Sequence, residues 1–130
     1  MIDVAAAIIE NHNGQLLIAR RKSGKSQAGL WEFPGGKLEQ GETIEACLRR
    51  ELLEEMNINI EPYEAFGVHS HHYETAHIRL YAYKAKFVSG HIKLSDHDQY
   101  AWSTAEELDK YEFAPADLPF VNKLMSQLKQ

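Results

Sequence analysis

The chain has 130 residues, of which 44% are hydrophobic and 25% charged, with a formal net charge of −5 and a single cysteine. This composition predicts one globular domain over residues 1–130 and excludes a disordered or membrane-spanning chain. The acidic balance disfavours binding of long nucleic acid, whereas a small phosphorylated ligand held by metal ions stays compatible with it. One cysteine cannot form an internal disulfide, which fits a cytoplasmic protein.

The first part of the chain alternates short apolar runs with glycine-containing turns. Residues 2–9 and 15–20 flank an Asn-Gly pair and predict a β-hairpin. Residues 22–29 are polar and predict an exposed loop. A brief strand over residues 30–33 then ends at Pro-Gly-Gly, where we expect a sharp loop that approaches other backbone closely.

A helix is predicted over residues 43–56, because apolar side chains recur every four positions from Ile44 to Met56. Thr43 suits the N-cap of this helix, and Asn57 suits a left-handed residue at its C-terminal end. The elements that follow are short and alternate with polar turns. We predict strands over 69–73, 78–87 and 100–102, a loop over 95–99, and helices around 105–108 and over 118–128. Together these elements predict an α+β fold with a mixed sheet flanked by helices.

Three glutamates cluster near the C-terminal end of the predicted helix. At ~100° per residue, Glu51, Glu54 and Glu55 fall within an arc of about 100°. Their charges repel each other, and a helix C-terminus disfavours anions, so a cation is needed nearby. Arg50 supplies part of that charge, but Mg²⁺ or Mn²⁺ also prefers clustered oxygen ligands. The alternative is a solvated acidic helix face.

The segment from Gly36 to Ile58 resembles the Nudix box, G-x5-E-x7-R-E-U-x-E-E-x-G-U, in which U is a bulky aliphatic residue. Every specified position matches except Asn57, where the family usually has glycine. Asparagine is the next best residue at a left-handed helix end, so we expect the metal ligands to be intact. The resemblance implies a Nudix-type α/β/α sandwich with a mixed sheet and a loop-helix-loop metal site.

Carried over position by position, the resemblance implies that Glu51, Glu54 and Glu55 bind metal with a backbone carbonyl of Gly35 or Gly36. The implied cofactor is Mg²⁺, for which Mn²⁺ can substitute. The implied reaction is attack by a metal-activated water on a phosphorus atom of a diphosphate linkage.

The same resemblance assigns supporting roles to two further residues of the box. Arg50 and Glu42 would hold the acid cluster in place, and Glu51 is one candidate for the general base. Asp96 matches a position where MutT-like members carry another glutamate near the metals, although a plain loop aspartate is the alternative.

Residues 2–128 are also similar to the MutT-like branch and to the related CTP pyrophosphohydrolases. Arg21 and Phe33 then correspond to stretches that line the phosphate and base pocket, although a strand end and a core ring are the ordinary alternatives. Asp117 falls in a segment that looks like the one that reads the base, and Tyr73 and His77 are candidates for the border of the substrate.

The type of side chain at Asp117 decides which hydrogen bonds this position can make. An ionised aspartate only accepts hydrogen bonds, which favours donors such as the amino group of cytosine or the N1–H and N2 amino groups of guanine. An ordinary helix N-cap is the alternative for this residue, because Pro119 follows two positions later.

The resemblance implies hydrolysis of a (deoxy)nucleoside triphosphate, including modified ones of the CTP or 8-oxo-dGTP kind, to the monophosphate and pyrophosphate. Nucleotide-pool sanitation is the usual purpose of such enzymes. The alternatives are ADP-ribose, NADH or a dinucleoside polyphosphate as substrate, or a non-catalytic nucleotide-binding module. We expect a small nucleotide as partner, no long nucleic acid or membrane, and a cytoplasmic monomer or homodimer.

Overall fold

The computed structural model describes residues 1–128 of the chain. Within this part, a seven-stranded mixed sheet lies between one helix on one face and three shorter or terminal helices on the other. The elements in chain order are β1 (Ile2–Glu10), β2 (Leu16–Arg21), β3 (Trp31–Glu32), β4 (Gly35–Lys37), α1 (Ile44–Met56), β5 (Ile58–Tyr73), β6 (Ala76–Gly90), β7 (His97–Ser103), two 3-10 helices (Ala105–Lys110 and Pro115–Asp117) and α2 (Leu118–Gln127). The predicted α+β sandwich is confirmed.

Strand β1 organises the sheet, whose order is β3-β2-β1-β6-β5. It pairs in parallel with β6 along its whole length and antiparallel with β2 near the predicted hairpin turn, where Glu10 lies opposite Leu16. Nearer the N-terminal end of β1, β4 pairs with the edge of β1 that faces β2, and β7 pairs with β2. Because the hairpin partner diverges from β1, the edge that it leaves is filled by the short strand that precedes α1.

The two faces of β1 supply two separate cores. Ala6 and Ile8 join the apolar cluster beneath α2, whereas Ala7 and Ile9 join the cluster beneath α1. This division follows from the alternation of side chains along a strand that is buried on both faces. No helix within residues 1–128 has the length and apolar character needed to cross a membrane.

Helix α1 begins and ends as predicted. The Thr43 hydroxyl oxygen accepts a hydrogen bond from the backbone N–H of Ala46 at 3.1 Å, as an N-cap does. Asn57 adopts the left-handed conformation, with φ 60° and ψ 33°. Asparagine therefore serves the helix end that the Nudix box usually gives to glycine.

The strands of the second half are longer than predicted. β5 begins at Ile58, whereas the sequence predicted a strand only from residue 69. The earlier part was missed because three register irregularities, around Ile60, Pro62 and Phe66, interrupt its pairing with β6. β7 begins at His97 rather than 100, through an irregular pairing with the end of β2. The Gly-Gly corner also forms a short strand rather than only a loop.

The Gly-Gly corner makes the closest backbone approaches near the helix face. A Cβ on Gly35 would lie 1.8 Å from the carbonyl oxygen of Ala5, and one on Gly36 would lie 2.3 Å from Oε2 of Glu51. The corner thus presses β4 onto β1 and brings α1 against backbone. Both contacts require the absence of a side chain.

We expect Gly35→Ala to lower the free energy of unfolding by about 3 kcal/mol, because backbone must move to admit the Cβ. Gly41→Ala is the matched control, since Gly41 has φ +78° but open space around it, and should cost about 1 kcal/mol. Urea unfolding followed by circular dichroism measures both. Equal losses would contradict the close packing of the corner.

Candidate active site

Arg50 is the centre of an ion-pair network on α1. Its Nε and Nη2 donate to the Glu42 carboxylate at 2.7 and 2.8 Å, and its Nη1 donates to Oε1 of Glu51 at 2.6 Å. Nη1 also lies 3.6 Å from the carboxylates of Glu39 and Glu54. The hydrogen bonds from Arg50 lower the pKa of Glu42 to about 2. The structure thus brings Glu42, Arg50 and Glu51 together in the arrangement that the resemblance implies.

Three carboxylates converge at the C-terminal end of α1, those of Glu51, Glu55 and Asp96. The pKa of half-buried Glu55 is raised to about 9, first by burial and then by the adjacent carboxylates of Asp96 and Glu51. The pKa of Asp96 is lowered, first by its hydrogen bond with Glu55 and further by Lys25, whose Nζ lies 3.2 Å from Oδ1. Because two adjacent anions repel each other, the protonated form of Glu55 is favoured beside the ionised form of Asp96.

Glu54 lies apart from this carboxylate cluster. Its side chain is 61% exposed, and its ion-pair partner is Arg50. Among residues 1–128, no three His, Cys, Asp or Glu side chains stand at the spacing that could hold a metal ion. Instead, the carboxylates form ion pairs with cations of the chain itself. Arg50 pairs with Glu51 and Glu54, and Lys25 pairs with Asp96.

The chemistry of the donors fits a divalent cation. Carboxylate oxygens are the ligands that Mg²⁺ and Mn²⁺ prefer, and the raised pKa of Glu55 marks negative charge that is not fully balanced. Gly36 lacks the Cβ that would collide with Glu51, so this carboxylate lies directly against the backbone of the corner. Binding of an ion would require the acids to exchange their present partners and close together.

A second group of polar side chains lies around Asp117, which is 5% exposed. Its Oδ2 accepts a hydrogen bond from the backbone N–H of Phe33 at 2.9 Å, and its side chain makes no capping bond to α2. The N-cap alternative is therefore wrong. Burial, and then the charge of Glu32, raises the pKa of Asp117 well above its usual value, although the Phe33 N–H and Arg21 act in the opposite direction.

The raised pKa changes what Asp117 can offer a ligand. A neutral carboxylic acid has one O–H donor and retains acceptor capacity, as an asparagine side chain has both functions. Burial therefore favours the neutral form of Asp117 over the purely accepting aspartate that the sequence led us to expect.

Glu32 is the site residue that sequence reasoning missed. Its Oε2 lies 2.8 Å from Nε2 of buried His97 and 3.4 Å from Nη1 of Arg21, whose Nε donates to the Ser26 carbonyl. The other ring nitrogen of His97 is buried without a hydrogen-bond partner in the described part of the chain. The available signal was a glutamate between two aromatic residues, Trp31 and Phe33, and it is a weak one.

Phe33 and Tyr73 both contact the segment that carries Asp117, in different ways. The Phe33 residue is 2% exposed, and its ring packs on Phe113 with centroids 5.4 Å apart. Its ring is therefore not available to stack on a base, and only its backbone N–H serves the pocket. Half-buried Tyr73 accepts a hydrogen bond through its hydroxyl from the backbone N–H of Ala116 at 2.9 Å, next to Asp117.

His77 does not border the same site. It pairs across the strands with His72 and stacks on that ring with centroids 3.4 Å apart, whereas Tyr73 pairs with Ala76. Successive residues of a strand face opposite sides of the sheet. The structure thus places His77 on the face opposite Tyr73, and the expectation that both line the substrate is corrected.

Comparisons with known proteins agree with this geometry. Residues 5–123 match the family model described as a NUDIX domain. The chain is 38% identical over 126 residues to the CTP pyrophosphohydrolase of Escherichia coli, covering 97% of this chain and 93% of that relative. It is 35% identical over 130 residues to the 8-oxo-dGTP diphosphatase of Haemophilus influenzae, with coverage of 98% and 93%. The crystal structure of the MutT protein from Methanosarcina mazei Go1 matches with a TM-score of 0.87 at 27% identity, covering 99% of this chain and 96% of that one.

We expect Glu55→Gln to stabilise the metal-free protein at pH 8 but not near pH 4.5. The pKa of Glu55 is raised from 4.5 to about 9, so the folded state favours the protonated acid, and stability is lost as pH rises through this window. Replacing the acid by a neutral amide removes that loss. The melting temperature at pH 8 should rise by about 4 °C or more.

The same variant should lose most of the rise in melting temperature that 10 mM Mg²⁺, on the order of a saturating concentration, gives the unsubstituted protein. Glu45→Gln, in the first turn of the same helix, is the control and should change neither quantity appreciably. A metal-free melting temperature that falls at pH 8 in Glu55→Gln would contradict the crowding of the three carboxylates.

Proposed function

The chain belongs to the Nudix family, and from this membership we propose that it hydrolyses a (deoxy)nucleoside triphosphate to the monophosphate and pyrophosphate. The observation that carries the proposal is the convergence of Glu51, Glu55 and Asp96 beside Arg50 and the Gly-Gly corner. The relatives that match nearly the whole chain are named a CTP pyrophosphohydrolase and 8-oxo-dGTP diphosphatases. Both names denote pyrophosphate-releasing or diphosphatase activity on nucleoside triphosphates.

We propose Mg²⁺ as the cofactor, held by Glu51, Glu54 and Glu55 with a backbone carbonyl of the Gly-Gly corner and with Asp96 as a further ligand. A bound ion would lower the pKa of the attacking water and offset charge on the phosphates. Arg50, which is itself fixed by Glu42, orients the Glu51 carboxylate through a 2.6 Å hydrogen bond. A rigid support of this kind favours catalysis because misplaced ligands weaken metal sites.

The second group of residues supports a choice of base. The neutral form of Asp117, which burial favours, would donate its O–H, while the Glu32 carboxylate would accept from an amino group. This pairing of one donor with one acceptor suits N3 and the N4 amino group of cytosine, and Tyr73 borders the same pocket. Adenine offers a similar pairing through N1 and N6, so size and shape must separate the two. We therefore rank cytidine-type nucleotides first and oxidised guanine nucleotides second, the latter favoured by the names of two relatives.

A non-catalytic nucleotide-binding module is the alternative from another class. Such a module would have no need of the full set of acids, yet Glu42, Glu51, Glu54 and Glu55 are all present with Arg50. The network in which Arg50 contacts each of three box glutamates also supports a working site.

The proposal is tested by incubating the protein and Mg²⁺ with canonical and modified nucleoside triphosphates, ADP-ribose and NADH, while pyrophosphate and phosphate release are measured separately. We expect pyrophosphate from at least one triphosphate. Glu54→Gln should lower kcat at least ~100-fold, although this side chain is exposed, because it would become a metal ligand. Glu45→Gln should keep full activity. Turnover of ADP-ribose or NADH alone would overturn the substrate class, and full activity of Glu54→Gln would remove that residue from the metal site.

Asp117→Asn should keep the order of preference among nucleotides, because the amide offers a donor and an acceptor as the neutral acid does. Asp117→Ala should lose at least ~10-fold in kcat/KM for the preferred nucleotide, as for a lost hydrogen bond to a base. Because the pKa of Asp117 is raised by burial, stability is lost as pH rises above its ordinary value, so Asp117→Asn should gain melting temperature relative to the unsubstituted protein between pH 5 and 8. A reordered base preference in Asp117→Asn would indicate that an ionised aspartate reads the base.

A further inference from the structure

Lys25 is a cation of the carboxylate cluster that the Nudix box does not contain. It lies in the loop between β2 and β3, and its Nζ is 3.2 Å from Oδ1 of Asp96, with side chains 41% and 29% exposed. Asp96 in turn is hydrogen bonded to Glu55. An ion pair as exposed as this one contributes little to stability, so its presence at the cluster calls for another explanation.

The loop that carries Lys25 is fixed to both halves of the site. The backbone N–H of Lys22 donates to the carbonyl of Asp96 at 3.2 Å, which fastens one end of the loop to the carboxylate cluster. Farther along the loop, the Ser26 carbonyl accepts from Arg21, which also contacts Glu32 in the second group. Lys25 therefore lies on a segment that links the carboxylate cluster to the group around Asp117, where we propose that the phosphates and the base of the substrate bind.

Charge decides what happens to Lys25 when a divalent ion binds. In the ion pair with Asp96, the ammonium of Lys25 balances part of the negative charge of the cluster. An ion with two positive charges bound beside Asp96 would repel this ammonium at close range. A triphosphate that arrives with the ion offers new anionic partners, and a lysine binds phosphate oxygens as a mobile point charge.

We propose that Lys25 is an exchangeable counter-ion: it pairs with Asp96 while the cluster lacks a divalent ion, and it transfers to the triphosphate when ion and nucleotide bind. The loop backbone stays fastened to Asp96, and the long lysine side chain makes the transfer. Lys25 thus opposes metal binding in the free protein and favours nucleotide binding in the complex. This inference rests on the proposed function, because it needs a polyphosphate beside the cluster.

Lys25→Met separates these two effects, since they have opposite signs. In isothermal titration without nucleotide, the Kd for Mn²⁺ should fall about 5-fold, because a competing unit charge is removed. In steady-state assays at saturating Mg²⁺, KM for the preferred triphosphate should rise about 5-fold, with kcat changed by less than about 2-fold, as for one lost charge-assisted hydrogen bond. Lys25→Arg should restore both quantities towards those of the unsubstituted protein.

Lys22→Met is the matched control, because it removes the same charge from the same exposed loop without removing the partner of Asp96. It should leave Kd and KM nearly unchanged. A Kd for Mn²⁺ or a KM that is the same in Lys25→Met and Lys22→Met would overturn the exchange. If the unsubstituted protein hydrolysed no triphosphate, the proposed function would fail, whereas an unchanged Kd for Mn²⁺ in Lys25→Met would still separately refute competition at Asp96.

Discussion

Repulsion among the carboxylates of Glu51, Glu55 and Asp96 sets the conditions under which the rest of the site works. The fold brings these acids together from α1 and from the loop before β7, and it balances their charge only in part, with Arg50 and Lys25. Two adjacent carboxylates in partly buried surroundings cannot both ionise without cost. A divalent cation bound there would relieve that cost, and we propose that the affinity of the site for metal rests on this repulsion.

The start of β7 connects the two ends of the site. Asp96 and His97 are consecutive, yet one joins the carboxylate cluster and the other contacts Glu32 beside Asp117. Under the proposed function, a single nucleotide would bind the metal-holding carboxylates through its phosphates and the polar groups around Asp117 through its base. The two ends also differ in their electrostatics. The carboxylate cluster concentrates negative charge that is only partly balanced, whereas burial raises the pKa of Asp117 and so favours its neutral form.

Local features of the sequence predicted α1 and its acidic face well. The apolar repeat fixed the face of α1 that packs on the sheet, which left the opposite face for the acids, and Thr43 and Asn57 marked its ends. The group around Asp117, in contrast, depends on contacts between residues that are distant in sequence. Asp117 meets Phe33 and Glu32 only in the folded chain, so neither the raised pKa of Asp117 nor the contacts of Glu32 could be predicted from spacing. The sequence left the role of Phe33 open for the same reason, since an aromatic ring suits a core and a ligand equally until its neighbours are known.

The central claim is that the carboxylates of α1 hold divalent ions against a polyphosphate. Its most direct test is a crystal structure with Mn²⁺ and a non-hydrolysable nucleoside triphosphate, with the ions located by anomalous scattering. The account predicts Mn²⁺ about 2.1–2.2 Å from oxygens of Glu51 and Glu55 and from phosphate oxygens, with the base against Asp117. Manganese bound elsewhere, with Glu51 and Glu55 still joined to Arg50 and Asp96 alone, would contradict it.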